Sequence, residues 1–365
     1  MHNPPRRSSP LRSRLLLVIN TILLSNDKSL ITLSTNQGYK IYSNKTHKCL
    51  HSNNQVGSLL YANTYYQSNI LFFIPVQTNR SFSSKCFYIW NAETNIQLGS
   101  IELTTSLTSA YVSRDIIYIF TTDSTILLFA LSTLQYIKTL HNAYTSDVTP
   151  HNKIAFAIDK GVIQLNCYAL YGDNKYNESI CKFDSTFDYV QVMKFCGKQQ
   201  KKLVISNYFG NKLHVYHVEQ HDATFIYCVY LGSNNEEILN VCVDEKEKFI
   251  MITRDDKVVD LYKMREIGNK SCVCGKYDDR RAIERKGMKE EKSIFSSWFE
   301  DLRERLFNNE KVLPYEEFTV SEGKIIFSDY AIDVKNKINV ILDNSVIKEF
   351  YFNRKKGKNN IQGGG

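Results

Sequence analysis

The sequence predicts an all-β fold, a seven-bladed β-propeller with a helical insertion in the sixth blade, and three observations carry this. A strand–turn–strand unit recurs along the chain at a spacing of short β repeats. Strand-forming aromatics abound, with 23 tyrosines and 20 phenylalanines in 365 residues. The rhythm fails once, between Met264 and about Tyr315, where charged and helical sequence replaces it.

Each unit is an apolar strand, a turn with Gly or a polar stand-in, and a second strand rich in aromatic or aliphatic residues. Copies are SLITLSTNQGYKIYS (29–43), ILFFIPV with KCFYIWN after a longer turn (70–91), DIIYIFTTDSTILLFAL (115–131) and KIAFAIDKGVIQLNCYAL (153–170). They continue with KLVISNYFGNKLHVYHV (202–218), KFIMITRDDKVVDLYKM (248–264) and INVILDNSVIKEFYF (338–352). The turn residues set the period: Gly161, Gly210 and Lys257 are 49 and 47 apart, Ser124 precedes Gly161 by 37, and Gly38 precedes Ser124 by 86, room for two units. One such sheet cannot bury both its faces, so the units must stack on one another around a ring. A strand near Leu15–Ile19 is then expected to complete the sheet of the last blade and pair its open edge. Two separate β-sandwiches would need a linker, and no low-complexity segment divides the chain. The expected organisation is a basic, disordered N-terminus at 1–13, a propeller at 14–352 with its insertion at 265–316, and a basic tail at 353–365.

The formal net charge of +8 suits either solubility or an anionic partner. Nine cysteines without framework spacing point to free thiols in a reducing compartment. Cys272 and Cys274 lack a matching Cys/His pair at zinc spacing. At the N-terminus RRSSPLRSR precedes LLLVINTILL, which imitates a signal peptide; Asn20 and Thr21 interrupt the apolar run, which reads as strand.

Within the insertion, SIFSSWFEDLRERLF (293–307) predicts a helix of about four turns. Phe295, Trp298, Phe299, Leu302 and Leu306 follow i, i+3, i+4, i+7 and i+11 on one face, with Ile294 beside them. Ser293 is placed to cap it, and Asp301 with Arg305 forms a favourable i,i+4 pair. Three occupants compete for the apolar stripe: the propeller's own sheets, a membrane interface, or a groove on a protein. The helix carries three acids and two bases; the preceding 276–292 carries seven bases and five acids, so electrostatic steering toward anionic lipid is weak.

STNQGYKIYS (34–43), the run KCFYIWNAETNIQLGSIELTTSLTSAYVSRDIIYIFTTDSTILLFALSTLQYIKTLHN (85–142) and the place of the insertion resemble the PROPPINs. These are seven-bladed propellers that bind phosphoinositides in autophagy and in vacuolar or endosomal traffic. The resemblance implies membrane insertion by Ile294, Phe295, Trp298, Phe299, Leu302 and Leu306. The family's Phe-Arg-Arg-Gly motif falls on Val229 to Gly232, where Tyr230 and Leu231 occupy the arginine positions. SNYFGNKLHVY (206–216) matches the family's pocket segment with Asn207, Asn211 and His214 in place of Ser, Thr and Arg. Arginine suits a phosphate because its planar fork donates two hydrogen bonds and keeps its charge. The resemblance therefore implies head-group binding that is weakened or altered, through Asn207, Asn211, His214, Tyr230 and Leu231.

No phosphate-binding Gly-rich loop, zinc-protease motif, nucleophile elbow or calcium loop occurs, and no histidine cluster stands at metal spacing. The expectation is a monomeric cytoplasmic, peripheral-membrane scaffold, not an enzyme, with no cofactor and no metal. Its expected partners are a phosphoinositide-containing membrane and autophagy or trafficking proteins, not nucleic acid. The alternative is a WD-repeat-like protein–protein scaffold without direct lipid binding.

Overall fold

The first strand of most units is apolar on both sides, which demands a neighbour on each face. In the computed structural model that demand sets the architecture. It describes residues 17–263, 316–319, 325–330, 337–342 and 347–351, apart from 160, 172–174, 186, 188, 198, 220–221, 232–237, 244–248 and 255–257.

Among the described residues there are six four-stranded antiparallel sheets and a seventh of three strands. The first holds β1 to β4 (Ile19–Leu24, Leu30–Thr35, Gly38–Ser43, Cys49–Asn53). The second holds β5 to β8 (Leu59–Thr64, Ile70–Pro75, Cys86–Asn91, Ile96–Glu102) and the third β9 to β12 (Leu107–Val112, Ile116–Thr121, Ile126–Ala130, Tyr136–Leu140). The fourth comprises β13 to β16 (Ser146–Val148, Lys153–Asp159, Val162–Tyr171, Lys175–Asp184), and the fifth β17 to β20 (Val190–Cys196, Lys202–Asn207, Lys212–Val218, Ala223–Tyr230). The sixth is β21 to β24 (Ile238–Val243, Phe249–Arg254, Val258–Lys263, Glu316–Thr319), and the last β25 to β27 (Ile325–Tyr330, Lys337–Leu342, Ile347–Tyr351).

Every predicted unit is the β-hairpin formed by the second and third strands of one sheet. In the six four-stranded sheets these strands lie inside their sheet and between sheets, so their sequences are the most apolar and the easiest to read. The turn residues that marked the period do so for a backbone reason: Gly38, Ser124, Gly161 and Gly210 all have positive φ, at 136°, 57°, 81° and 64°.

The core is a series of layers between successive sheets. Leu30, Tyr39 and Ile41 pack on Leu59, Leu71 and Phe73 between the first two sheets. Phe72 and Phe87 meet Ile117 and Ile119 in the next layer, and Ile116 and Tyr118 on the other side of β10 meet Ile154 and Phe156. Ala155 and Leu165 face Leu203 and Ile205, while Val204, on the opposite side of β18, packs with Ile250 and Ile252. Alternate residues of one strand thus belong to different layers, the radial stacking of a propeller. Polar bonds pin the seams as well. Asp147 of β13 accepts from the Phe195 amide at 2.7 Å and the Lys194 ammonium at 3.0 Å. Lys138 of β12 bonds Glu178 of β16 at 2.6 Å.

One expectation is corrected. Ile19, assigned from the sequence to a strand completing the last blade, begins β1, which pairs antiparallel with β2 as the edge strand of the first sheet. Val18 and Ile19 follow the first sheet because the Val18 amide donates to Asn36 Oδ1 and the Asn36 amide to the Val18 carbonyl, closing β1 onto the β2–β3 turn. Among the described residues the seventh sheet has three strands, and the helical insertion is not among them. The predicted helix at 293–307, with Ile294, Phe295, Trp298, Phe299, Leu302 and Leu306, lies outside the described residues, as do the termini at 1–13 and 353–365. The insertion's roots are fixed nonetheless: Val258 pairs with Thr319 and Leu261 with Glu316, so 264–315 connects the third and fourth strands of the sixth sheet. Glu316, placed in the insertion from the sequence, is the first residue of β24.

A Cβ at Gly161 would overlap the Phe187 carbonyl and sit on a left-handed backbone. Gly161→Ala is expected to cost about 2–4 kcal/mol in thermal or denaturant unfolding. Gly99→Ala, whose Cβ would meet only side-chain carbons of Leu134 at 3.3 Å and Ile89 at 3.8 Å, should cost clearly less; equal losses would contradict the seam geometry.

Candidate head-group site at the seam of the fifth and sixth sheets

The residues aligned with the family's pockets sit on β18, β19, β20 and the turns joining them. Asn207 ends β18, and its carbonyl accepts the Gly210 amide at 3.1 Å. Its side-chain Oδ1 accepts the Asn211 and Lys212 amides at 3.2 and 3.0 Å, and its Nδ2 donates to Asn211 Oδ1 at 2.7 Å. The two asparagine side chains therefore build the turn, as Asn commonly does through its short amide.

His214 lies on the side of β19 that faces the fourth sheet. Its Nδ1 is 2.8 Å from the Ser185 carbonyl, which only accepts, so Nδ1 carries the proton. Phe187 stacks on the ring at 3.9 Å between centroids and Phe225 meets it edge-on at 5.3 Å. Burial in this aromatic box pushes the imidazole pKa down to about 4. At neutral pH the residue is a buried, uncharged core histidine.

Leu231 faces the other way. It is 1% exposed and packs with Val229, Leu213, Ile238 and Ile252 in the layer between the fifth and sixth sheets. Its amide donates to the Asn211 carbonyl at 2.7 Å, tying the end of the sheet to the turn. The backbone of Tyr230 pairs with Lys212. The five residues thus share one end of the fifth sheet, but the side chains of four do not converge: the asparagines hold a turn, His214 packs toward the fourth sheet, and Leu231 toward the sixth.

Arg254 stands on the sixth-sheet side of this seam. This residue ends β22 and is 4% exposed. Its Nε lies 2.9 Å from Asp260 Oδ2, and its guanidinium donates to the Tyr262 hydroxyl at 3.1 Å. The Tyr262 hydroxyl donates in turn to Asp260 at 3.2 Å, and burial raises its pKa well above the usual phenol range. The seam's arginine is neutralised inside the protein.

Sequence reasoning passed over one feature here. Tyr208 and Phe209, the two tip residues of the β18–β19 turn, are 65% and 58% exposed, and Tyr189 beside them is 63% exposed. Comparison of that turn with its counterparts in the other units is the signal that finds them. Among the described residues, no group of His, Cys, Asp or Glu is gathered to hold a metal ion, and no helix is long and apolar enough to cross a membrane.

Two outcomes follow. His214 has a folded-state pKa below its unfolded value of about 6.5, so the unfolded chain binds the extra proton between about pH 6.5 and 4. Its contribution is full above about pH 6.5 and falls by roughly 3 kcal/mol as pH drops toward 4. Unfolding measured across that window should lose this slope in His214→Phe; an unchanged slope would contradict the burial. Asp260→Leu leaves Arg254 buried without its carboxylate and is expected to cost about 3–5 kcal/mol. The Arg254→Met/Asp260→Leu pair should recover most of that loss by the same unfolding measurement.

No family model and no curated protein sequence matches the chain. Solved structures do. Kluyveromyces lactis Hsv2 with its complete loop 6CD is similar at a TM-score of 0.68 and 13% identity, over 92% of this chain and 94% of that one. A complex of KlAtg21 with the coiled-coil of AgAtg16 matches at 0.63 and 8% identity, covering 93% and 95%. The β-propeller domain of Myceliophteria thermophila Cps50 (Swd1) matches at 0.60 and 4% identity, covering 92% and 96%. At these identities the likeness is one of fold, and the fold is that of a PROPPIN-like β-propeller.

Proposed function

We propose that the chain is a non-catalytic, seven-bladed scaffold of the PROPPIN type that associates peripherally with membranes from the cytoplasm. It recruits autophagy or vacuolar and endosomal trafficking proteins to phosphoinositide-containing surfaces, with head-group binding weakened or altered. The observation that carries the reading is the position of the insertion. The 264–315 connection leaves and re-enters between the third and fourth strands of the sixth sheet, and the Hsv2 neighbour carries a loop named 6CD. The 293–307 segment would supply the apolar stripe through Ile294, Phe295, Trp298, Phe299, Leu302 and Leu306. The KlAtg21 neighbour is bound to a coiled-coil of another autophagy protein, which supports a protein partner of that kind for this chain, held by a monomeric propeller.

A second reading, a WD-repeat-like scaffold without direct lipid contact, is favoured by the seam itself. Leu231 is core, His214 is neutral and Arg254 is paired with Asp260. The similarity to the Cps50 propeller fits that reading equally.

Liposome flotation separates them. Trp298→Asp/Phe299→Asp should lower partitioning onto vesicles containing phosphatidylinositol 3-phosphate by at least about tenfold, since each buried large side chain contributes about 1.5–3 kcal/mol. Unaltered flotation would remove the insertion role. Failure of the unmodified chain to float on any phosphoinositide vesicle, with protein partners retained in pull-down, would select the second reading.

A further inference from the structure

The turn between the second and third strands recurs in each sheet, so the protein carries its own control. Its tip reads Asn36–Gln37 in the first sheet and Thr122–Asp123–Ser124 in the third; in sequence, the residues between the paired strands of the fourth, sixth and last sheets include Lys160, Asp255–Asp256 and Asp343–Asn344. All are polar, as exposed turns favour; the second sheet has a longer connection. In the fifth sheet the two tip positions are Tyr208 and Phe209.

Turn closure does not ask for rings there. Asn207 and Asn211 close the turn with their amides, and Gly210 takes the left-handed position at φ 64°. The rings instead point out, in edge contact with centroids 5.8 Å apart. Tyr189 lies alongside, because its carbonyl accepts the Tyr208 amide at 3.1 Å. Three exposed aromatics are thus held on a backbone already fixed by hydrogen bonds, so little further ordering is needed for them to engage a partner.

The shape and chemistry select the occupant. The rings form the tip of a tight turn, convex rather than grooved, which offers no slot for a partner's side chains. Tyrosine and phenylalanine together suit a soft boundary that is wet on one side and apolar on the other, the headgroup–acyl interface of a bilayer. The position suits it too. In the first sheet the end of the outer strand reaches the following sheet's third-to-fourth-strand turn, with Asn53 bonding Asn95 at 2.7 Å. In the sixth sheet the 264–315 connection stands in place of that third-to-fourth-strand turn, and the end of β20 is tied to the aromatic turn through Leu231 and Asn211.

We propose that Tyr208 and Phe209, flanked by Tyr189, enter the headgroup–acyl boundary of a lipid bilayer, an apolar contact on the folded fifth sheet that is separate from the 293–307 segment. The proposal rests on the membrane reading above and adds a second lipid-contacting surface to it.

The test uses the full chain with vesicles of phosphatidylcholine, phosphatidylserine and phosphatidylinositol 3-phosphate, with and without brominated acyl chains. Phe209→Trp should add emission over the unmodified chain that shifts to the blue on vesicles and is quenched by the bromines. Tyr208→Ser/Phe209→Ser should keep the unmodified circular dichroism, since both side chains are exposed, and lose roughly tenfold or more in partitioning. Equal partitioning of the double variant with no quenching of the added tryptophan would overturn this proposal while leaving the membrane reading standing. A chain that partitions onto none of these vesicles would overturn both. Undiminished vesicle binding by the double variant, with loss of a purified protein partner, would assign the rings to that protein and overturn the lipid contact.

Discussion

Everything in this protein depends on sheets that are apolar on both faces. A four-stranded sheet in water can solvate one face if that face is polar, but β10 puts large aliphatic or aromatic residues on both sides, and β14 and β18 likewise bury apolar residues on each side, Ile154 and Phe156 against Ala155 and Ala157, Leu203 and Ile205 against Val204. Burying both sides requires a sheet before and a sheet after, and repetition of that demand generates the radial stack. Each seam is then a packed layer with little tolerance for change. Its polar members, such as Asp147 with Lys194 and Phe195, are bonded across the seam.

That constraint bears directly on ligand binding between the fifth and sixth sheets. An arginine serving a phosphate needs its charged end at the surface, whereas a residue inside the seam must be apolar or fully paired. This chain adopts the second solution throughout. Leu231 fills the layer with Val229 and Ile238, and Arg254 is enclosed with Asp260 and Tyr262. On the fourth-sheet side, His214 is a neutral donor to Ser185 between aromatic rings. The edge of the sheet gains mechanical order from these choices and gives up cationic charge, while apolar contact through exposed rings remains open to it.

The fold was legible because its signal is redundant. Each unit shows a strand period, and four of them a turn whose left-handed position is marked by Gly38, Ser124, Gly161 or Gly210, so an error at one unit is absorbed by the others. The N-terminal strand carried no such redundancy: an apolar run near one end of the sequence fits the edge of either adjoining sheet, and the ladder from Ile19 to Leu24 with β2, together with the bonds between Val18 and Asn36, decides for the first. The candidate site was legible in identity and not in direction. Asn207, Asn211, His214 and Leu231 occupy the expected edge, but which side of the strand each faces depends on register, where a shift of one residue exchanges core and surface. The Tyr208–Phe209 tip was overlooked because aromatics in a strand-rich sequence read as core by default, and turn position alone distinguishes them.

The most direct test of this account asks whether the seam of the fifth and sixth sheets is interior or receptor. Calorimetric titration of the intact protein with a soluble inositol bisphosphate, free of acyl chains, isolates head-group recognition from apolar contact. A closed seam predicts no saturable heat below the millimolar range, at low salt as well as high. Saturable binding in the micromolar range, abolished by a charge-reversing change at Lys212 that leaves the fold intact, would show that the seam opens to anions and would contradict the account.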